Sequence, residues 1–126
     1  MTRRMLATLL LVGLAWPATA QTVTAEKFLV RTTADLVALC APAPSDPLAV
    51  QAIHFCHGYL VGAFQYHVSD NAGNPSKKIC LPNPPPDRNA AVAQFVGWAN
   101  ANPQYMGEPP VETEFRFIEA TWPCRR

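Results

Sequence analysis

The side chains able to do chemistry in this chain are four cysteines, three histidines, three serines and a few glutamates near the C-terminus. No two of Cys40, Cys56, Cys80 and Cys124 have the C-x2-C or C-x4-C spacing of a zinc site. An even number of cysteines in an exported chain reads instead as two disulfides, and a cystine offers no thiolate for nucleophilic attack. His54 and His57 can share a helical face. A metal site needs a third ligand, and His67 lies almost three turns beyond His57. Ser45 sits beside a helix start, Ser69 and Ser76 lie in a polar stretch, and none stands in a G-x-S-x-G turn. Glu112 and Glu119 share one face of the last helix while Glu114 points elsewhere. Paired carboxylates need a cleft between them to act, so a solvated helix face is the plainer reading. These residues define no catalytic centre, no metal site and no cofactor site, and the chain is not read as an enzyme.

The elements that hold these residues begin with a leader. Arg3 and Arg4 precede an apolar run, Met5–Trp16, and Pro17 breaks it ahead of Ala18-Thr19-Ala20. A basic start, an apolar stretch and small residues at −3 and −1 make a secretory signal peptide, with cleavage expected after Ala20. No cysteine follows directly, so no lipid anchor is indicated, and no run reaches the roughly 20 apolar residues of a membrane span. The exported part, residues 21–126, reads as one domain in an oxidising compartment, the periplasm. The whole chain of 126 residues carries a formal charge of +1, and losing Arg3 and Arg4 makes the balance slightly negative. That excludes the basic surface of a nucleic-acid binder.

Four helices are expected, with no alternating strand and no internal repeat. Phe28-Leu29-Val30 fits either a short extended piece or a helix. Thr32 or Thr33 can cap a short helix running to about Cys40, with Asp35 in its first turn, and Pro42 and Pro44 stop it. Asp46 and Pro47 suit the cap and first position of a second helix reaching about Val68. Its apolar stripe is Val50, Ile53, Leu60 and Phe64, with His57 among them. A polar loop, Ser69–Lys78, and an extended Cys80–Pro86 follow. Asp87 caps a third helix ended by Asn102-Pro103, and Pro109-Pro110 opens a fourth with the stripe Val111, Phe115, Ile118, Trp122. The last two helices have a short connection and should form an antiparallel hairpin. Such a hairpin brings Cys80, before its first helix, near Cys124, after its second. That favours Cys80–Cys124 and leaves Cys40–Cys56.

Three features invite a binding role. Gly58 and Gly62 form G-x-x-x-G inside a helix, where each costs up to about 1 kcal/mol against alanine. The expected return is close approach of a neighbouring helix or of a second copy, with Tyr59 part of the same packing. Tyr66 lies one helix repeat further along. Asn71, Asn74, Lys77 and Lys78 populate the loop Ser69–Lys78, the most mobile feature expected of the chain; it reads either as a solvated connection or as a protruding binding loop anchored at its end by Cys80, since loops on a rigid base often carry recognition.

The order of these signals resembles a known family. Cys40 ends a short helix, Phe55-Cys56-His57-Gly58-Tyr59-Leu60-Val61-Gly62 matches an F-C-x-G-Y-x-x-G signature, and Cys80-Leu81-Pro82 precedes a helix. Asn102-Pro103 and Trp122-Pro123-Cys124 complete the pattern. From about Thr33 to Cys124 the chain is similar to the Rap/Tai family of type VI secretion immunity proteins. The resemblance implies a small, exported, disulfide-bonded, all-α protein. It would bind a peptidoglycan amidase effector and occlude its cleft, with no chemistry of its own, and some members act as homodimers. The matching residues are scaffold residues, so they argue for the fold more strongly than for the partner. The rival expectation is a periplasmic binding or chaperone-like protein of the same fold with no toxin partner.

Overall fold

The computed structural model describes residues 21–125. The leader, Met1–Ala20, lies outside the described residues. Four helices form the domain: α1 (Thr33–Cys40), α2 (Ala49–Asp70), α3 (Arg88–Ala101) and α4 (Pro110–Thr121). Short 3-10 turns at Ala25–Leu29 and Pro103–Tyr105 precede α1 and α4. The first of these resolves the Phe28–Val30 ambiguity in favour of helix. No strand occurs among the described residues; Ile79 and Pro123 form a single antiparallel bridge.

The ends of the helices follow local chemistry. Thr32 accepts from the Asp35 backbone N–H at 3.3 Å, and Asp35 returns the bond by accepting from the Thr32 N–H at 3.1 Å. This capping box satisfies two helix-end donors at once. Asp87 accepts from the Ala90 N–H at 2.8 Å to start α3, and Asn102 donates to the Trp98 carbonyl at 2.8 Å to finish it. The second helix departs from expectation. It begins at Ala49, three residues after Asp46, whose two carboxylate oxygens have separate partners. One accepts from the Leu48 N–H at 2.9 Å and the other from the Val23 N–H at 2.8 Å. Asp46 thus pins the N-terminal segment to the turn before α2, and Pro47 lies in that turn.

The core is built around α1. Leu36, Val37, Leu39 and Cys40 are buried with Ala52 and Cys56 of α2, Val92, Phe95 and Ala99 of α3, and Phe117 and Ile118 of α4. The start of α1 is tied to the α3–α4 connection. The Thr33 and Ala34 N–H groups donate to the carbonyls of Glu108 and Met106 at 2.8 and 3.0 Å. The buried Thr33 hydroxyl donates to that of Thr113 at 2.7 Å, which reaches the Tyr105 carbonyl at 3.4 Å. Around Phe117 the rings of Phe95, Trp98 and Trp122 pack at 5.4 to 6.2 Å.

Both disulfides have the favoured pairing. Cys40–Cys56 joins the end of α1 to α2 with 5.1 Å between Cα atoms, and Cys80–Cys124 closes the α3–α4 hairpin at 4.8 Å. Their loops of 16 and 44 residues would constrain the unfolded chain by roughly 3 and 4 kcal/mol. For a domain of this size those figures rival the whole net stability.

Each expected apolar stripe holds except at its first member. On α2 Leu60 and Phe64 pack half-buried against the core and Ile53 is half-buried, while Val50 is 68% exposed; the fully buried positions are Ala52 and Cys56. On α4 the buried positions are Pro110, Thr113, Glu114, Phe117 and Ile118, a sound i, i+3, i+4, i+7, i+8 face with two polar members. Val111 is exposed and Phe115 half-buried.

Candidate functional site

Two surfaces compete as the functional site. The first is the distal end of α2 and the loop after it. Tyr66 and Val68 are 73% and 53% exposed there. The loop owes its shape to its own asparagines. Asn71 donates to the His67 carbonyl at 3.0 Å and accepts from Asn74 at 3.1 Å. Asn74 in turn accepts from the Ser76 N–H at 2.8 Å. Gly73 takes a left-handed φ of 76°, open to glycine at little cost. Asn71 and Asn74 therefore work inside the loop, and the exposed Lys77 and Lys78 are the side chains it presents. Beyond them the chain is fastened: Cys80 N–H donates to Trp122 O and Cys124 N–H to Lys78 O, both at 2.9 Å, next to the Cys80–Cys124 bond. His67 packs against Phe115 at 4.7 Å, which ties this end of α2 to α4.

The glycines of α2 do not have the role expected of them within the chain. Gly58 and Gly62 are exposed, and a Cβ built at either meets no atom within 4 Å. No neighbouring helix approaches them, because α2 leans on the core through Ala52 and Cys56 on another face. Tyr59 is half-buried and stacks on Phe55 at 6.4 Å, and Phe55 meets Phe28 edge-on at 5.5 Å. Its hydroxyl meets the backbone of Val111; burial, with a smaller contribution from Glu114, still raises its pKa.

The second surface is a cavity of about 350 Å³ between α2, α3, α4 and the proline-rich segment. Leu60, Val61 and Phe64 line it from α2, Val92 and Phe95 from α3, and Ile118 from α4, with Leu81 and Pro86 beside them. Glu114 is in its wall. That side chain is 2% exposed, its Oε2 has no hydrogen-bond partner, and burial pushes its carboxyl up to about 8. It is therefore mostly protonated at neutral pH. Sequence reasoning put Glu114 off the working faces of α4. The signal that would have found it is its spacing from Pro110, Phe117 and Ile118.

The histidines do not converge: His54 is exposed, His57 lies beside the cavity and His67 is on Phe115. Among the described residues no three His, Cys, Asp or Glu side chains are grouped to hold a metal ion. No described helix is long and apolar enough to cross a membrane.

A model of the Rap1a immunity proteins matches residues 32–124. The chain belongs to that family. No curated protein and no solved structure matches it significantly. The match starts at the cap of α1 and ends at the last cysteine, so it spans both disulfides and all four helices. As a Rap1a immunity protein the chain is an immunity protein whose partner is an effector protein, and its two cystines accord with an exported life.

Proposed function

We propose that this protein protects its producer in the periplasm by binding a peptidoglycan amidase effector of a type VI secretion system and covering the effector's cleft. The observation that carries the reading is the loop after α2. It is shaped by its own side-chain bonds, fastened at its far end by a disulfide, and exposes Lys77 and Lys78; Tyr66 is exposed on the helix that leads into it. A loop of this kind loses little conformational freedom on docking, so its contacts translate into affinity.

The test is affinity capture with the oxidised exported chain from lysates of the same and closely related bacteria, with bound proteins identified by mass spectrometry. One stoichiometric amidase is the expected result. Many weak clients, or none, would leave the family standing and remove this function. With the amidase in hand, Lys77→Glu with Lys78→Glu should weaken binding by about tenfold or more, mostly through faster dissociation if the loop is buried in the complex. Unchanged affinity would take the loop out of the interface.

A further inference from the structure

The cations of this chain fall into two groups. Lys27, Arg31 and Arg116 lie 3.9, 3.9 and 3.0 Å from carboxylate oxygens of Asp35, Glu26 and Glu108. The other cations, Lys77, Lys78, Arg88 and Arg125, have no carboxylate partner among the described residues. All of these but Arg88 line a single groove of about 690 Å³, between the end of the loop after α2 and the segment that follows α4. The two sides of that groove are locked together. The Cys124 N–H donates to the Lys78 carbonyl at 2.9 Å, and the Cys80–Cys124 bond joins the same segments. Lys77 and Lys78 on one side are thereby held facing the side that carries Arg125, although like charges repel. Among the described residues the one carboxylate on the lining is Glu119 of α4, and it pairs with none of the three. Lys77, Lys78, Glu119 and Arg125 are all exposed, so the groove is open to a partner.

We propose that this groove receives an acidic, extended segment of the effector, with at least two carboxylates set against Lys77, Lys78 and Arg125. The proposal rests on the reading of the loop as the effector-binding face. It adds the chemistry of the partner and a second side to the interface, one that lies outside the loop. The length follows from the volume: pockets of roughly 300 to 1,000 Å³ enclose drug-sized ligands, so this groove suits roughly three or four residues of peptide. The sign follows from the lining, where three cations face one carboxylate. A nucleic acid is the poorer match, since it asks for a basic stripe or face and here the excess charge is confined to one groove of a slightly negative chain. Charge complementarity of this kind steers the encounter and fixes the register of the bound segment. Glu119 opposes an acidic ligand, which makes it a test of sign: its removal should tighten binding while removal of Arg125 weakens it.

The first arm of the test needs no effector. The capped peptide acetyl-Gly-Asp-Glu-Asp-Gly-amide is titrated into the disulfide-bonded protein at low salt and followed by ¹⁵N–¹H correlation spectra. Saturable shifts are expected at the amides of Lys77, Lys78, Cys80 and Arg125. The counterpart with Asn and Gln in place of the acids should bind about tenfold or more weakly, and added salt should weaken the acidic peptide several-fold. Arg125→Glu should lose about fivefold or more, and Glu119→Gln should gain about twofold. Arg88→Glu makes the same change of net charge outside the groove and should leave affinity within about twofold. Absence of saturable shifts, equal binding of the neutral peptide, or an equal loss in Arg88→Glu would each overturn the groove. The second arm uses the captured amidase, against which Arg125→Glu should again lose about fivefold or more and Glu119→Gln should gain. A loss in Lys77→Glu with Lys78→Glu but none in Arg125→Glu would overturn the proposal and keep the loop. No loss in any of these variants would overturn both. If no amidase is captured, the effector reading falls, and the peptide arm still decides whether the groove takes carboxylates.

Discussion

The shortest helix and the longest one divide the labour of this domain in reverse of their size. α1 has eight residues and buries Thr33, Leu36, Val37, Ala38, Leu39 and Cys40. α2 has 22 residues and buries only Ala52 and Cys56. The reason is position. α1 sits among the other three helices and the first 3-10 turn, while α2 lies along one side: Phe55, Tyr59, Leu60 and Phe64 pack half-buried against the core, and the face with Gly58, Gly62 and Tyr66 is left to solvent. α1 is the most deeply buried helix, and α2, beyond its packing, serves as a mast that carries surface. An immunity protein benefits from that separation, because the exposed face can change to follow an effector without touching the core.

A truncation in α1 should have the largest effect. Leu36→Ala removes a side chain with no exposure and should cost about 3–5 kcal/mol, read as a shift in the urea midpoint with little change in slope. Val50→Ala on α2 removes a side chain that is 68% exposed and should cost less than about 0.5 kcal/mol. Similar losses from the two would mean that α2 is as structural as α1.

The next effect sharpens the contrast by pH. The carboxyl of Glu114 titrates near the ordinary value of 4.5 in the unfolded chain and at about 8 in the fold. Between those values the folded state holds a proton that the unfolded state has released, so stability falls as pH rises and levels off above about 8. The loss from below pH 4.5 to pH 7 should be about 3 kcal/mol, at 1.36 kcal/mol per unit. Glu114→Gln cannot ionise. The difference between the two proteins, from urea unfolding at a series of pH values, should grow over that range in favour of Gln. A constant difference would place the Glu114 carboxyl in water.

How much of the molecule is legible in its sequence depends on whether the signal is local. Thr32 and Asp35, Asp87 and Asn102 mark helix ends through bonds to residues three or four away, Pro103 and Pro109-Pro110 mark them through proline's fixed φ and missing N–H, and the fold follows them. The cysteine pairing is legible too, since a short hairpin constrains where its two ends meet. What is not legible depends on distant neighbours. Asp46 has a local bond to the Leu48 N–H that its sequence position suggests, but its second bond, to the Val23 N–H 23 residues earlier, is not legible. On α4 a count of apolar residues selects Val111 and Phe115, because Thr113 and Glu114 look like surface. Thr113 is buried because Thr33, 80 residues away, provides its hydrogen bond. Glu114 is buried beside a cavity that three helices and the proline-rich segment create together, and no single stretch of sequence shows that cavity.

The smallest effect concerns what the mast is for. Glycine within a helix costs about 0.5–1 kcal/mol relative to alanine, and α2 carries two with open space above them. In the isolated protein Gly62→Ala should therefore stabilise by about that amount, since the new methyl meets nothing within 4 Å. Thermal unfolding of the single and double alanine variants, Gly58→Ala included, would measure it. The same variants then report on the complex. A methyl added on a free face leaves effector affinity and oligomeric state unchanged, and the glycines are then accidents of the surface. A methyl added where another backbone comes close forces that backbone away, so affinity or self-association should drop while the isolated protein melts higher. That opposite pair of signs, stabler alone and weaker in complex, would place the two glycines under a partner.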